Sequence, residues 1–195
     1  MGEDEYFKFA PAEPADLARR LILDEAACAL LMPEQSVAEF VVDLAGVGQF
    51  PAAIAVLAHA LPKREAVWWG CVAVRLATAP TADSPADAAL RAAEAWVYQP
   101  LEQNRQAARE AAARAGLRTP AGWAAIAAFW SSGSMAPPDT PEVLPKEDLT
   151  ARAVAGAVTL AAVQADTEHT GVGFEAIIGL GLDIARGGDG RHMPG

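Results

Sequence analysis

The sequence is short of the residues from which most active sites are built. Its 195 residues include two cysteines and three histidines. Cys28 and Cys71 lie far apart, each in an apolar helical pattern, which predicts two buried thiols in a reducing compartment over a disulfide or a metal site. His59, His169 and His192 form no His-x-x-His or His-Glu-x-x-His pair, and no Cys-x-x-Cys is present, so neither a metal site nor a cofactor is expected. Basic residues are also in deficit, 15 against 25 acidic ones, for a formal net charge of -10. That charge repels a phosphate backbone and an anionic leaflet, which argues against nucleic acid as a partner. Long apolar runs are absent. Uncharged apolar stretches such as residues 50–61 and 153–163 fall well short of the roughly 18 to 20 residues that span a bilayer. Arg19-Arg20 precedes an apolar run that stops at Asp24-Glu25, and the upstream region is acidic, the reverse of an export signal. The expectation is a cytoplasmic protein without a membrane span.

Alanine dominates what is present, and β-branched residues are scattered, a composition that favours helix and offers little to a sheet. The pattern predicts an all-α fold of roughly eight or nine short helices, in a compact bundle or a short solenoid-like array. Residues 1–13 read as a flexible acidic and aromatic arm whose Tyr6, Phe7 and Phe9 can dock on the body, 14–186 as one helical domain, and 187–195 as a disordered Gly-rich tail. From Pro14, a single helix is expected up to Pro33. Ser36 with Glu39 has the form of a capping box, Ser84-Pro85 with Asp87 forms another start, and Thr119-Pro120 a third. Residues 62–69 place Lys63, Arg64 and Glu65 on a first helical turn and Trp68 and Trp69 on the next. From Ala66 onward this helix is apolar nearly all round, so it belongs in the middle, with Arg75 paired or reaching an edge. The five tryptophans, Trp68, Trp69, Trp96, Trp123 and Trp130, are all assigned to one structural core. The helix after Pro100 shows an alanine face opposite Arg105, Arg109 and Arg114.

No constellation carries chemistry, and no catalytic residue is assigned. Gly171-Val172-Gly173 and Gly179-Leu180-Gly181 follow no strand and lack a phosphate-loop lysine, so close helix packing explains them better. Cations at the start of a helix are mildly unfavourable. Glu65, Glu94, Arg105 and the acids near Glu142 are the expected sources of compensation for Lys63 and Arg64, with a partner's carboxylate as the functional alternative. Residues 131–146, rich in serine and proline, read as an extended loop with unpaired backbone groups and an adaptable apolar contact in Met135. The expected partner-binding residues are therefore Arg64, Glu65, Ser132, Ser134, Met135, Pro137 and Pro138.

Three segments taken in order, LPKREAVWWGC from Leu61, AEAWV around Trp96, and TPAGWAA from Thr119 followed by FWSSGSMAPP from Phe129, resemble a bacterial family of uncharacterised all-helical proteins. The likeness runs approximately over residues 36–182. Members of that family are at times mislabelled as twin-arginine signal proteins, and some occur with type VI secretion components. The resemblance implies an intracellular accessory role and brings no catalytic residue with it.

The leading reading is a non-enzymatic helical adaptor that binds another bacterial protein, with a secretion component or its cargo as the partner class. Two alternatives stay open. One is a small hydrolase or transferase using His59 with Glu65 or a remote carboxylate. The other is a self-assembling structural protein, and the oligomeric state is left undetermined.

Overall fold

The computed structural model describes residues 8–137, 139–167 and 171–190. Tyr6, Phe7, Pro138, His169, His192 and residues 191–195 lie outside the described residues. Among those described, the chain forms ten helices and no strand, the expected all-α fold: α1 Pro14–Leu21, α2 Glu25–Cys28, α3 Val37–Gly46, α4 Phe50–Ala60, α5 Lys63–Thr78, α6 Pro85–Tyr98, α7 Glu102–Ala115, α8 Pro120–Phe129, α9 Leu149–Thr167 and α10 Phe174–Ala185. No helix among the described residues is long and apolar enough to cross a membrane.

Local chemistry sets most of these starts. Ser36 Oγ accepts from the Glu39 N–H while the Glu39 carboxylate accepts from the Ser36 N–H at 2.9 Å, a complete capping box. Ser84 and Thr119 cap α6 and α8 through the N–H groups of Asp87 and Gly122. The single helix expected up to Pro33 is instead two. Ile22 adopts a left-handed conformation (φ 54°) and Asp24 caps a new turn by accepting from the Ala27 N–H at 2.8 Å. An N-capping side chain inside an apolar stripe has here overridden the stripe.

The expected central helix is central. α5 packs against α6, α8, α9 and α10, and α9 against α4, α5 and α8. Ala153, Ala157 and Ala161 are fully buried, and Val154 of α9 lies against Gly70 of α5, so small residues admit the close approach. Arg75 is paired: its guanidinium grips Glu94 through Nε and Nη2 at 2.5 and 2.9 Å and reaches Asp87 at 3.0 Å. Arg91 holds the other Asp87 oxygen at 3.0 Å. Hydrogen bonding from Arg75 is the main reason that Asp87 is held below the usual carboxylate range.

The five indoles do not share one interior. Trp69 and Trp96 are buried, and Trp69 Nε1–H donates to the Ile177 carbonyl of α10 at 2.9 Å. Trp123 and Trp130 meet edge to face at 6.3 Å between centroids and pack on the core from its rim. Trp68 is half-buried and borders an open cleft. Two adjacent residues on one helix point about 100° apart, so the Trp68-Trp69 pair divides between interior and edge.

The two ends of the described chain also pack. Lys8 N–H donates to Ala185 O and Ala10 N–H to Ala60 O, while Phe9 lies against the core. Residues 187–190 depart from the disordered tail expected there, because their backbone is hydrogen-bonded to α10.

Gly181 is where α10 approaches α5 most tightly: a Cβ there would stand 2.7 Å from Leu57 Cδ2 and 2.8 Å from Trp69 Cε2. Gly181→Ala is expected to lower unfolding free energy by about 1–3 kcal/mol through overpacking. Gly156→Ala, whose Cβ would make ordinary contact with Trp123 at 3.6 Å, is expected to raise it by about 0.5–1 kcal/mol through helix propensity. Urea titration of both variants measures the contrast.

Candidate functional site

A helix leaves its last carbonyls without helical donors, and a buried helix end must find them elsewhere. At the end of α8 the donors are cations from other helices. Lys63 Nζ donates to Ser131 O at 3.0 Å, Arg105 Nη1 donates to Phe129 O at 2.8 Å, and the Ser131 hydroxyl donates to Ala128 O at 2.7 Å. At the end of α6, Arg64 Nε donates to Val97 O at 2.6 Å, and Asn104 Nδ2 reaches Gln99 O at 2.8 Å. The cations that open α5 are therefore compensated by carbonyls at the negative ends of α6 and α8, and not by the carboxylates expected from the sequence.

Arg105 is the residue the sequence hides. It was expected on the outer side of α7, yet it is 2% exposed. Its guanidinium makes a two-point pair with Glu102 at 2.6 and 2.7 Å, donates to Ser134 O at 3.0 Å, and lies 4.6 Å from the centre of the Phe129 ring. Gly133, at φ +64°, leaves the space that the guanidinium fills: a Cβ there would stand 2.9 Å from Nη2. The sequence clue was Glu102 three residues earlier in the first turn of α7, a spacing that reads equally well as a solvent-exposed pair. Hydrogen bonding from Arg105 is the main cause holding the Glu102 carboxyl at about 2. That contribution is complete above the ordinary value of 4.5 and is lost as pH falls through about 2.

The loop that Arg105 supports is closed on itself, not extended. Met135 N–H donates to Val143 O at 2.8 Å, and Ser134 Oγ accepts from the N–H groups of Ala136 and Val143 at 3.0 and 3.1 Å. Ser134 thus organises the loop, and Met135 packs against the core where an outward contact was expected. Ser132 and Pro137 are exposed.

Two open clefts flank the corner between α6 and α7. The first, about 420 Å³, is bordered by Lys8, Arg64, Glu65, Trp68, Tyr98 and Asp189, with Trp68 and Tyr98 edge to face at 5.7 Å. The second, about 320 Å³, is bordered by Glu102, Arg105, Ser134, Pro137, Asp139 and Glu142. The expected binding residues thus divide: Arg64 and Glu65 border one cleft, Ser134 and Pro137 the other, and Ser132 and Met135 neither. Four large apolar side chains that sequence reasoning passed over lie at this corner and on the loop: Tyr98, Leu101, Val143 and Leu144, exposed by 60, 50, 50 and 63%.

His59 stands apart from Glu65. It sits on α4, Nδ1–H donates to Ala55 O at 2.8 Å, and Nε2 is buried without a partner among the described residues. Its charged neighbours are Arg20, Asp148 and Arg152. Burial, the largest effect, lowers its pKa from the ordinary 6.5. Burial also pushes the Cys71 thiol up. Among the described residues, no cluster of three His, Cys, Asp or Glu side chains is placed to hold a metal ion.

Residues 40–185 match the model of a family of unknown function, DUF6931, and the chain belongs to that family. The matched stretch contains α4 to α10, the Arg105 network, the loop and most of the lining of both clefts. No curated protein and no solved structure matches the chain.

Arg105→Met removes the donors for Phe129 O and Ser134 O while keeping much of the side-chain volume. It is expected to cost about 1–3 kcal/mol for each carbonyl left buried without a donor and to expose residues 131–146 to limited proteolysis before global unfolding. His59 supplies a separate test. Its folded-state pKa is depressed, so the unfolded chain binds the proton first and stability falls as pH drops below 6.5. Denaturation at pH 7.5 and 5.0 should show this loss in the wild type and a smaller one in His59→Gln.

Proposed function

We propose that this protein is a non-enzymatic helical adaptor that binds another bacterial protein through the α6–α7 corner, the first turn of α5 and the loop 131–146. The observation that carries the reading is the cost of the loop's support. A fully buried arginine, costly to desolvate, is used to fix the shape of a loop that leaves Val143 and Leu144 exposed, as Tyr98 and Leu101 are at the α6–α7 corner. Exposed apolar residues rimmed by charge are the composition of a protein-binding surface. Here Glu65, Glu102, Asp139 and Glu142 are among the charged residues that border the two clefts. A secretion component of the type VI class, or its cargo, is the partner class implied by the family resemblance of the three motif segments. The cytoplasm is the compartment that suits two free thiols.

For the enzymatic alternative, the carboxylate among the charged neighbours of His59 is Asp148 and not Glu65. Tagged protein recovered from its native bacterium provides the test. Val143→Asp with Leu144→Asp should leave stability within about 0.5 kcal/mol of the wild type, as surface changes do, and reduce partner recovery at least tenfold on the scale of interface hot spots. Equal recovery by the double variant would remove the loop from the binding surface.

A further inference from the structure

We infer that residues 187–190 form a displaceable strap that closes one side of the Trp68 cleft, so that strap docking and partner binding exclude one another; the inference rests on the recognition reading above. After α10 the chain turns back on itself. Gly187 N–H donates to Ile184 O at 3.0 Å and Gly188 N–H to Asp183 O at 2.9 Å. The Asp183 carboxylate accepts from the Gly190 N–H, also at 2.9 Å. Between these anchors the Asp189 carbonyl accepts the Trp68 indole proton at 2.8 Å. Gly190 is buried, and a Cβ on it would stand 2.8 Å from Ile184 Cδ1 and 3.4 Å from Val72 Cγ2. Gly188 and Asp189 consequently form one wall of the cleft whose other walls include Glu65, Trp68 and Tyr98.

The strap's composition makes it displaceable. Its sequence is Gly-Gly-Asp-Gly, so it buries no apolar side chain, and three glycines carry the largest backbone entropy cost of ordering. The hydrogen bonds that anchor it to α10 and Trp68 contribute little net, because water or another chain can replace each one. The indole proton of Trp68 needs one carbonyl, which the extended backbone of a partner segment supplies as well as Asp189 does. The partner class is therefore a protein segment that enters the cleft in extended form and takes the strap's place.

The test uses the full chain carrying Asp183→Ala, which removes the carboxylate anchor without altering the cleft lining, and Asp183→Asn, which keeps an acceptor oxygen. Hydrogen exchange of the Trp68 indole N–H is followed by NMR, its signal assigned by its loss in Trp68→Phe. Exchange should quicken at least tenfold in Asp183→Ala and stay near wild type in Asp183→Asn. The Trp69 indole, bonded to Ile177, serves as the fold control and should not change. In parallel, recovery of the partner that is lost with the Val143/Leu144 double variant should rise at least threefold in Asp183→Ala. Unchanged Trp68 exchange overturns the strap, and faster exchange with unchanged recovery overturns its control over binding. Should neither wild type nor Asp183→Ala recover such a partner, the recognition reading itself fails, and the inference with it. If Asp183→Ala loses the Trp69 control signal, Gly188→Ala replaces it, since a Cβ there collides with the Asp183 carboxylate and opens the strap without changing α10.

Discussion

The arrangement depends on how the carbonyls at the ends of α6 and α8 are satisfied. α8 ends against the buried Ser131 and α6 ends at the exposed turn 98–101, and each directs its negative dipole end toward cations of neighbouring helices. Lys63 and Arg64, side by side on α5, answer one helix each, and Arg105 of α7 joins them at α8. These contacts tie α5, α6, α7 and α8 at one end of the molecule. They also resolve an apparent contradiction in the sequence, cations placed where the start of a helix disfavours them. The charge at the start of α5 serves its neighbours' ends.

The same contacts shape the candidate surface. Arg64, held to Val97 O, and Arg105, held to Ser134 O, border the clefts together with Glu65, Glu102, Asp139 and Glu142. Asn104 braces the corner between the clefts by donating to Ala95 O and Gln99 O. A rigid corner with exposed apolar side chains loses little conformational entropy on association, which favours recognition by a preformed surface.

Much of the fold was legible because its signals are local. Ser36 with Glu39, Ser84 with Pro85, and Thr119 with Pro120 announce helix starts through side-chain chemistry that acts within four residues. The central place of α5 followed from its apolar circumference. What stayed illegible depends on partners distant in sequence. Arg105 looks like a surface residue until the carbonyls of Phe129 and Ser134 are brought to it. Trp68 looks like Trp69 until helix geometry sends one inward and the other to the edge. The break at Ile22 depends on Asp24, whose side chain caps a new turn within the stretch expected as one helix. Residues 187–190 lack any apolar period, and their course is set by α10 carbonyls, the Asp183 carboxylate and the Trp68 indole.

One feature of the chain's course bears on how it is made. Lys8, near its beginning, donates its backbone N–H to Ala185, and α10 lays Gly181 against Leu57 and Trp69. During synthesis, α4 and α5 leave the ribosome long before the helix that completes their packing exists. Until α10 emerges, the faces of α4 and α5 that it covers, Leu57 and Trp69 among them, stay open to solvent.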